Sequence, residues 1–131
     1  MNISAENIFS LSTPDGYDCF VERYHANFQV IRLWAECFLP NPPPAEHSLE
    51  FVFTGVLYFE GALNWTGANV CIASRRECYE LLVSAKLIDA SAPDEIEETL
   101  DTYHLFVIPT TSSARIKFVA HRTDYAVNIM G

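Results

Sequence analysis

Residues Leu49 to Glu60 read Leu-Glu-Phe-Val-Phe-Thr-Gly-Val-Leu-Tyr-Phe-Glu, a nearly continuous apolar run of strand formers interrupted by Thr54-Gly55. Aromatic and β-branched side chains suit a pleated, packed surface, so the run predicts a central strand with a bend or bulge at Gly55. Gly61, Asn64 and Gly67 then supply turn chemistry, and Ala68 to Ala73 (Ala-Asn-Val-Cys-Ile-Ala) forms a further short strand. The two strands are expected to pair as a hairpin.

Downstream, Ser74-Arg-Arg-Glu77 has the S-x-x-E spacing of a capping box and opens the apolar series Cys78, Leu81, Leu82, Ala85 and Ile88. This predicts a helix over 75–88. Ser91-Ala-Pro-Asp-Glu95 repeats the start grammar, with Pro93 in the first turn and acids near the positive end of the helix dipole. A short helix to about Leu100 follows. Tyr103 to Ile108 and Arg115 to Arg122 are strand-like runs joined by Pro109-Thr-Thr-Ser-Ser-Ala114, a turn by composition. With Thr110 opposite Arg115, Leu105, Val107, Ile116, Phe118 and Ala120 share an apolar face, while His104 and His121 meet on the other. A slip of one residue undoes that arrangement.

Upstream, Tyr17 to Leu39 contains no Gly or Pro and reads two ways. On a helix, Phe20, Tyr24, Phe28, Ile31, Ala35 and Phe38 follow three- and four-residue spacing, with Thr13-Pro14 as the start. The second half is nevertheless dense in aromatic and β-branched residues, and Pro40-Asn-Pro-Pro-Pro44 suits a strand leaving for an extended loop. The favoured reading is helix early, then strand from about Asn27. Strands punctuated by helices without regular alternation give an α+β fold, with an antiparallel or mixed sheet of about four to six strands. Two to three helices should pack mainly on one face of it, and residues 1–131 should form a single globular domain.

Composition limits what such a domain can do. Half of the residues are apolar and 19% are charged, as in a packed globular chain. A net charge of -9, from 17 acidic and 8 basic residues, opposes a phosphate backbone and an anionic membrane surface, so no nucleic-acid or membrane partner is expected. No apolar run approaches the ~20 residues of a spanning helix. The N-terminal Met1-Asn-Ile-Ser-Ala-Glu lacks the basic and apolar regions of a secretory signal, which points to the cytoplasm. There Cys19, Cys37, Cys71 and Cys78 should remain thiols, and none has CxxC spacing.

Several residues are candidates for chemistry. His104 and His121, with Asp101 and Asp124 close in sequence, offer imidazole and carboxylate ligands for a divalent metal or a small enzyme site. Ordinary strand histidines are the plainer alternative. Cys78 lies beside Arg75 and Arg76, which would activate a thiol, yet it also begins the helix's apolar stripe. The acids Asp89, Asp94, Glu95, Glu97, Glu98 and Asp101 lack the glycine of a calcium loop and read as a solvated helix face. Phosphate-binding glycine loops, GxSxG and HExxH are absent, and no cofactor is expected beyond the possible metal. Trp34, Tyr58 and Trp65 are candidates for a subunit interface or an apolar pocket, since aromatic side chains contribute heavily to both. The leading expectation is a noncatalytic binding or interaction module that self-associates as a homo-oligomer or meets a partner protein. The alternatives are a small metal- or ligand-binding enzyme using His104 and His121, and an acidic inhibitor or immunity-type protein covering a basic site.

Overall fold

The computed structural model describes residues 9, 11, 13–25, 29–40, 47–112 and 114–127, the side chains of 23–25 and 125–127 excepted. The expected extended loop at Pro42 to Pro44 lies outside the described residues. The strands are β1 (Tyr17–His25), β2 (Val30–Cys37), β3 (Ser48–Thr54), β4 (Tyr58–Glu60), β5 (Asn64–Thr66), β6 (Cys71–Ile72), β7 (His104–Pro109), β8 (Arg115–Ala120) and β9 (Arg122–Val127). Two helices, α1 (Arg75–Ser84) and α2 (Pro93–Thr102), lie between β6 and β7. All strand pairings are antiparallel, in a five-stranded sheet ordered β5-β1-β2-β3-β9 and a four-stranded sheet ordered β4-β8-β7-β6. The class is α+β, built on two sheets where the sequence suggested a single sheet of about four to six strands.

Gly55 explains the second sheet. Its φ of +66° is a left-handed conformation, and a Cβ there would stand 2.9 Å from the Cβ of His121. The chain turns at this point out of β3, in one sheet, into β4, in the other. The partner strand turns with it, since β8 and β9 also change sheets at His121, whose N–H donates to Thr54 O (2.9 Å) and Gly55 O (3.2 Å). Thr54 pairs with Arg122 and Tyr58 with Val119, so the two-strand ribbon bends as a unit with its register displaced by one residue.

The bend also overturns the hairpin expected between 49–60 and 68–73. The turn-rich stretch contains a strand of its own, β5, which pairs with β1 through Cys19 and Trp65 at the edge of the five-stranded sheet, before the chain passes to β6 at the edge of the other. There Cys71 and Ile72 pair with Val107 and Phe106. The early helix in 17–39 is likewise replaced by strand. After a single 3-10 turn at Pro14–Gly16, which Thr13 does not cap, Tyr17 and Cys19 point inward while Asp18 and Phe20 are exposed. The helical stripe placed Phe20 with Ile31 and Ala35, but Phe20 faces out and the other two are buried. Pairing of Tyr17, Cys19 and Val21 with the equally alternating β2 outweighs the local helical spacing.

Two apolar clusters fill the structure. Phe51, Phe53, Leu33, Tyr17, Phe118 and Ile108 belong to one formed by both sheets. Cys78 and Leu82 of α1 and Ile96 and Leu100 of α2 join Leu105, Val107 and Val119 in the other. Successive β7 residues therefore alternate between two buried environments, which is why Leu105 to Ile108 is apolar throughout. The β7–β8 hairpin forms one residue away from the expected register: Pro109, not Thr110, lies opposite Arg115. Leu105 consequently joins Val119 in the helix-side cluster, Phe118 faces Phe106, and His104 lies opposite Ala120 instead of His121.

Ser74 caps the helix as its spacing to Glu77 predicts, with Ser74 Oγ accepting from Glu77 N–H at 3.1 Å. Helix α1 stops at Ser84, short of Ile88, because Lys86 adopts φ +59° and the amides of Leu87 and Lys86 turn back onto Leu82 O and Val83 O. That pair of bonds satisfies orphan carbonyls and closes the helix. Ser74→Ala should leave the Glu77 amide without its cap and lower stability by about 1 kcal/mol, readable as a shift in urea midpoint at constant slope.

Candidate functional site

The histidines and carboxylates named from sequence fall on separate elements, Asp101 on α2, His104 on β7, His121 between β8 and β9, and Asp124 on β9. His104 is exposed on β7 with its ring 6.2 Å from that of Phe106, whereas His121 is exposed at the sheet corner, 6.4 Å from the ring of Tyr103. Asp101 accepts from Arg75 Nη1 at 2.8 Å, and Asp124 lies 3.6 Å from Arg122 Nε on β9. Among the described residues, no three His, Cys, Asp or Glu side chains form a group able to hold a metal ion.

The acidic stretch around α2 is organised by local partners. Arg75 reaches from α1 to Glu97 Oε2 and Asp101 Oδ1, each at 2.8 Å, and hydrogen bonding to Asp101 raises the guanidinium's already high pKa. The Ser91 amide and hydroxyl donate to Asp89 and hold its carboxyl below the ordinary value. The Arg75 pairs tie the two helices together at a solvated surface.

All four cysteines are free. Cys78 is 2% exposed, and burial pushes its thiol up to about 11 despite the opposing pull of Arg75. An activated nucleophile needs the reverse, a lowered pKa and access, so Cys78 serves as a core residue.

The three aromatic candidates take different places. Trp65 is buried and its indole N–H donates to Gly67 O at 2.8 Å, which makes it part of the core. Tyr58 lines an apolar recess of about 270 Å³ with Val21, Ile31, Val56 and Leu63, and its hydroxyl donates to Glu60 Oε1 at 2.7 Å. Trp34 lies half-buried on the outward side of β2, between buried Leu33 and Ala35.

That outward side is a surface the sequence reading missed, because it requires β1 to be a strand. Cross-strand pairing sets Asn64, Phe20, Trp34 and Glu50 in one row over four strands, with Phe20 40% exposed. The next row runs Thr66, Asp18, Glu36 and Ser48. Thr66 Oγ1 donates to Asp18 at 2.9 Å, and on the other flank Arg32 pairs with Glu50 at 3.1 Å. At the border of the sheet β9 carries exposed Arg122 and Asp124. This five-stranded sheet therefore offers an aromatic and acidic face and one extended edge. Comparison of the chain with protein-family models, with curated proteins and with solved structures gives no match.

Proposed function

We propose that the chain is a noncatalytic interaction module that self-associates through the edge of β9. The observation that carries this reading is the length of that edge. β9 runs for six residues and bonds to β3 on one side, and among the described residues no strand pairs with its other side. The remaining edge strands, β4, β5 and β6, have only two or three residues each.

An unpaired strand edge presents a row of amide and carbonyl groups that a second strand can satisfy. Charged Arg122 and Asp124 discourage indiscriminate pairing, yet they are complementary in one arrangement. In an antiparallel two-fold pairing centred on Thr123, each Arg122 lies opposite Asp124 of the other copy, the self-complementary contact that a symmetric dimer requires.

Sedimentation velocity from low to high micromolar concentration should show a dimer, and a monomer throughout that range would overturn the proposal. Asp124→Arg sets like charges opposite each other and should weaken the dimer about tenfold. The double change Arg122→Asp with Asp124→Arg restores opposite charges and should recover it.

A further inference from the structure

We infer that the outer face of the five-stranded sheet docks a cationic segment of another protein, with an arginine seated over Asp18 and Glu36 and lying along Phe20 and Trp34. This rests on the face of the sheet and not on the β9 edge, so it and the dimer fail separately.

The charges on the face are unevenly matched. Asp18 and Glu36 stand directly opposite each other on β1 and β2, an arrangement in which like charges oppose sheet formation. Among the described side chains, Arg32 on this face is engaged with Glu50, and Arg122 on the border strand with Asp124. Among the described residues neither Asp18 nor Glu36 forms an ion pair, although the Thr66 hydroxyl donates one hydrogen bond to Asp18. A cation placed between the two carboxylates would relieve their repulsion.

The neighbouring row selects the type of cation. Phe20 and Trp34 are cross-strand partners one row from the carboxylates, and a guanidinium can stack on an aromatic face while its N–H fork meets a carboxylate. An ammonium gains less from the same surface because it is compact and strongly hydrated. Exposure of Phe20 leaves this aromatic surface accessible, in contrast to the four-stranded sheet, whose Leu105, Val107 and Val119 are buried with α1 and α2. The chain's charge of -9 adds long-range attraction for a basic partner and repels phosphate-rich ones.

The test is a titration of the ¹⁵N-labelled full chain with acetylated, amidated tetra-arginine, and with tetra-lysine for comparison. The expected result is that amide shifts concentrate at residues 18–20 and 34–36, that tetra-arginine binds several-fold tighter than tetra-lysine, and that Asp18→Asn with Glu36→Gln weakens binding about fivefold or more. The control Asp94→Asn with Glu97→Gln removes the same charge from α2 and should leave binding unchanged; both pairs are surface substitutions whose folding the spectra themselves report. Shifts centred on α2, equal weakening by the two double variants, or no binding at millimolar peptide would each overturn the proposal. It would also fall if Phe20→Ser dissociated a dimer while tetra-arginine moved no resonance on this face, since a second copy would then be the occupant.

Discussion

Replacing Phe118 by alanine is expected to remove about 3–5 kcal/mol of folding stability, a large part of the 5–15 kcal/mol typical of a small domain. Phe118 is fully buried on β8, and its ring lies flat on that of Phe53 from β3 with centroids 3.9 Å apart and planes within 3°. Phe59 of β4 leans on it at 5.0 Å, and Phe106 meets Phe53 edge-on at 5.7 Å. Four rings from both sheets thus pack around the bent ribbon, and truncation would leave a cavity whose rigid backbone walls cannot close. Phe118→Leu retains most of the apolar volume and should cost clearly less. Urea denaturation of the three proteins checks the order; a loss below 1 kcal/mol for Phe118→Ala would mean that this stack does not hold the sheets together.

The features legible in the sequence are those whose cause is local. Ser74 and Glu77 lie three residues apart, and the capping bond that joins them needs nothing from the rest of the chain. Gly55 announced a bend in the same way, through the freedom of a missing Cβ. What that bend accomplishes was not legible, because the transfer of β3 into a second sheet depends on β8 and β9 turning at His121, far along the chain. Tyr17 to His25 failed for a related reason: its spacing fits a helix and a strand, and its partners β2 and β5 decide between them. The β7–β8 register turned on one residue, and with it went the meeting of His104 and His121. Trp34 could be suspected as a contact residue from its type, whereas its neighbours Phe20, Asp18 and Glu36 become a surface only once β1 and β2 are paired.

The buried thiols should make the fold sensitive to alkali. Burial, with a smaller contribution from Asp18, pushes Cys19 up from 9.0 to about 12, and burial pushes Cys78 from 9.0 to about 11. Below pH 9 both thiols are protonated whether the chain is folded or not, so their protonated burial contributes in full. Above pH 9 the unfolded chain releases these protons while the fold retains them, and stability falls as pH rises toward the folded values. Each thiol then loses about 1.4 kcal/mol per pH step, and by pH 11 the two together remove on the order of 5 kcal/mol. Burial also raises Cys71, which adds to the decline in the same direction. Urea midpoints measured from pH 8 to 10.5 should therefore drop steeply for the natural chain and more gently for Cys19→Ala with Cys78→Ala. Tyr58, also raised, titrates equally in both proteins, so the difference between the two slopes isolates the thiols. Parallel slopes would show that Cys19 and Cys78 ionise without leaving the fold, and that the interior around β1 and α1 admits charge.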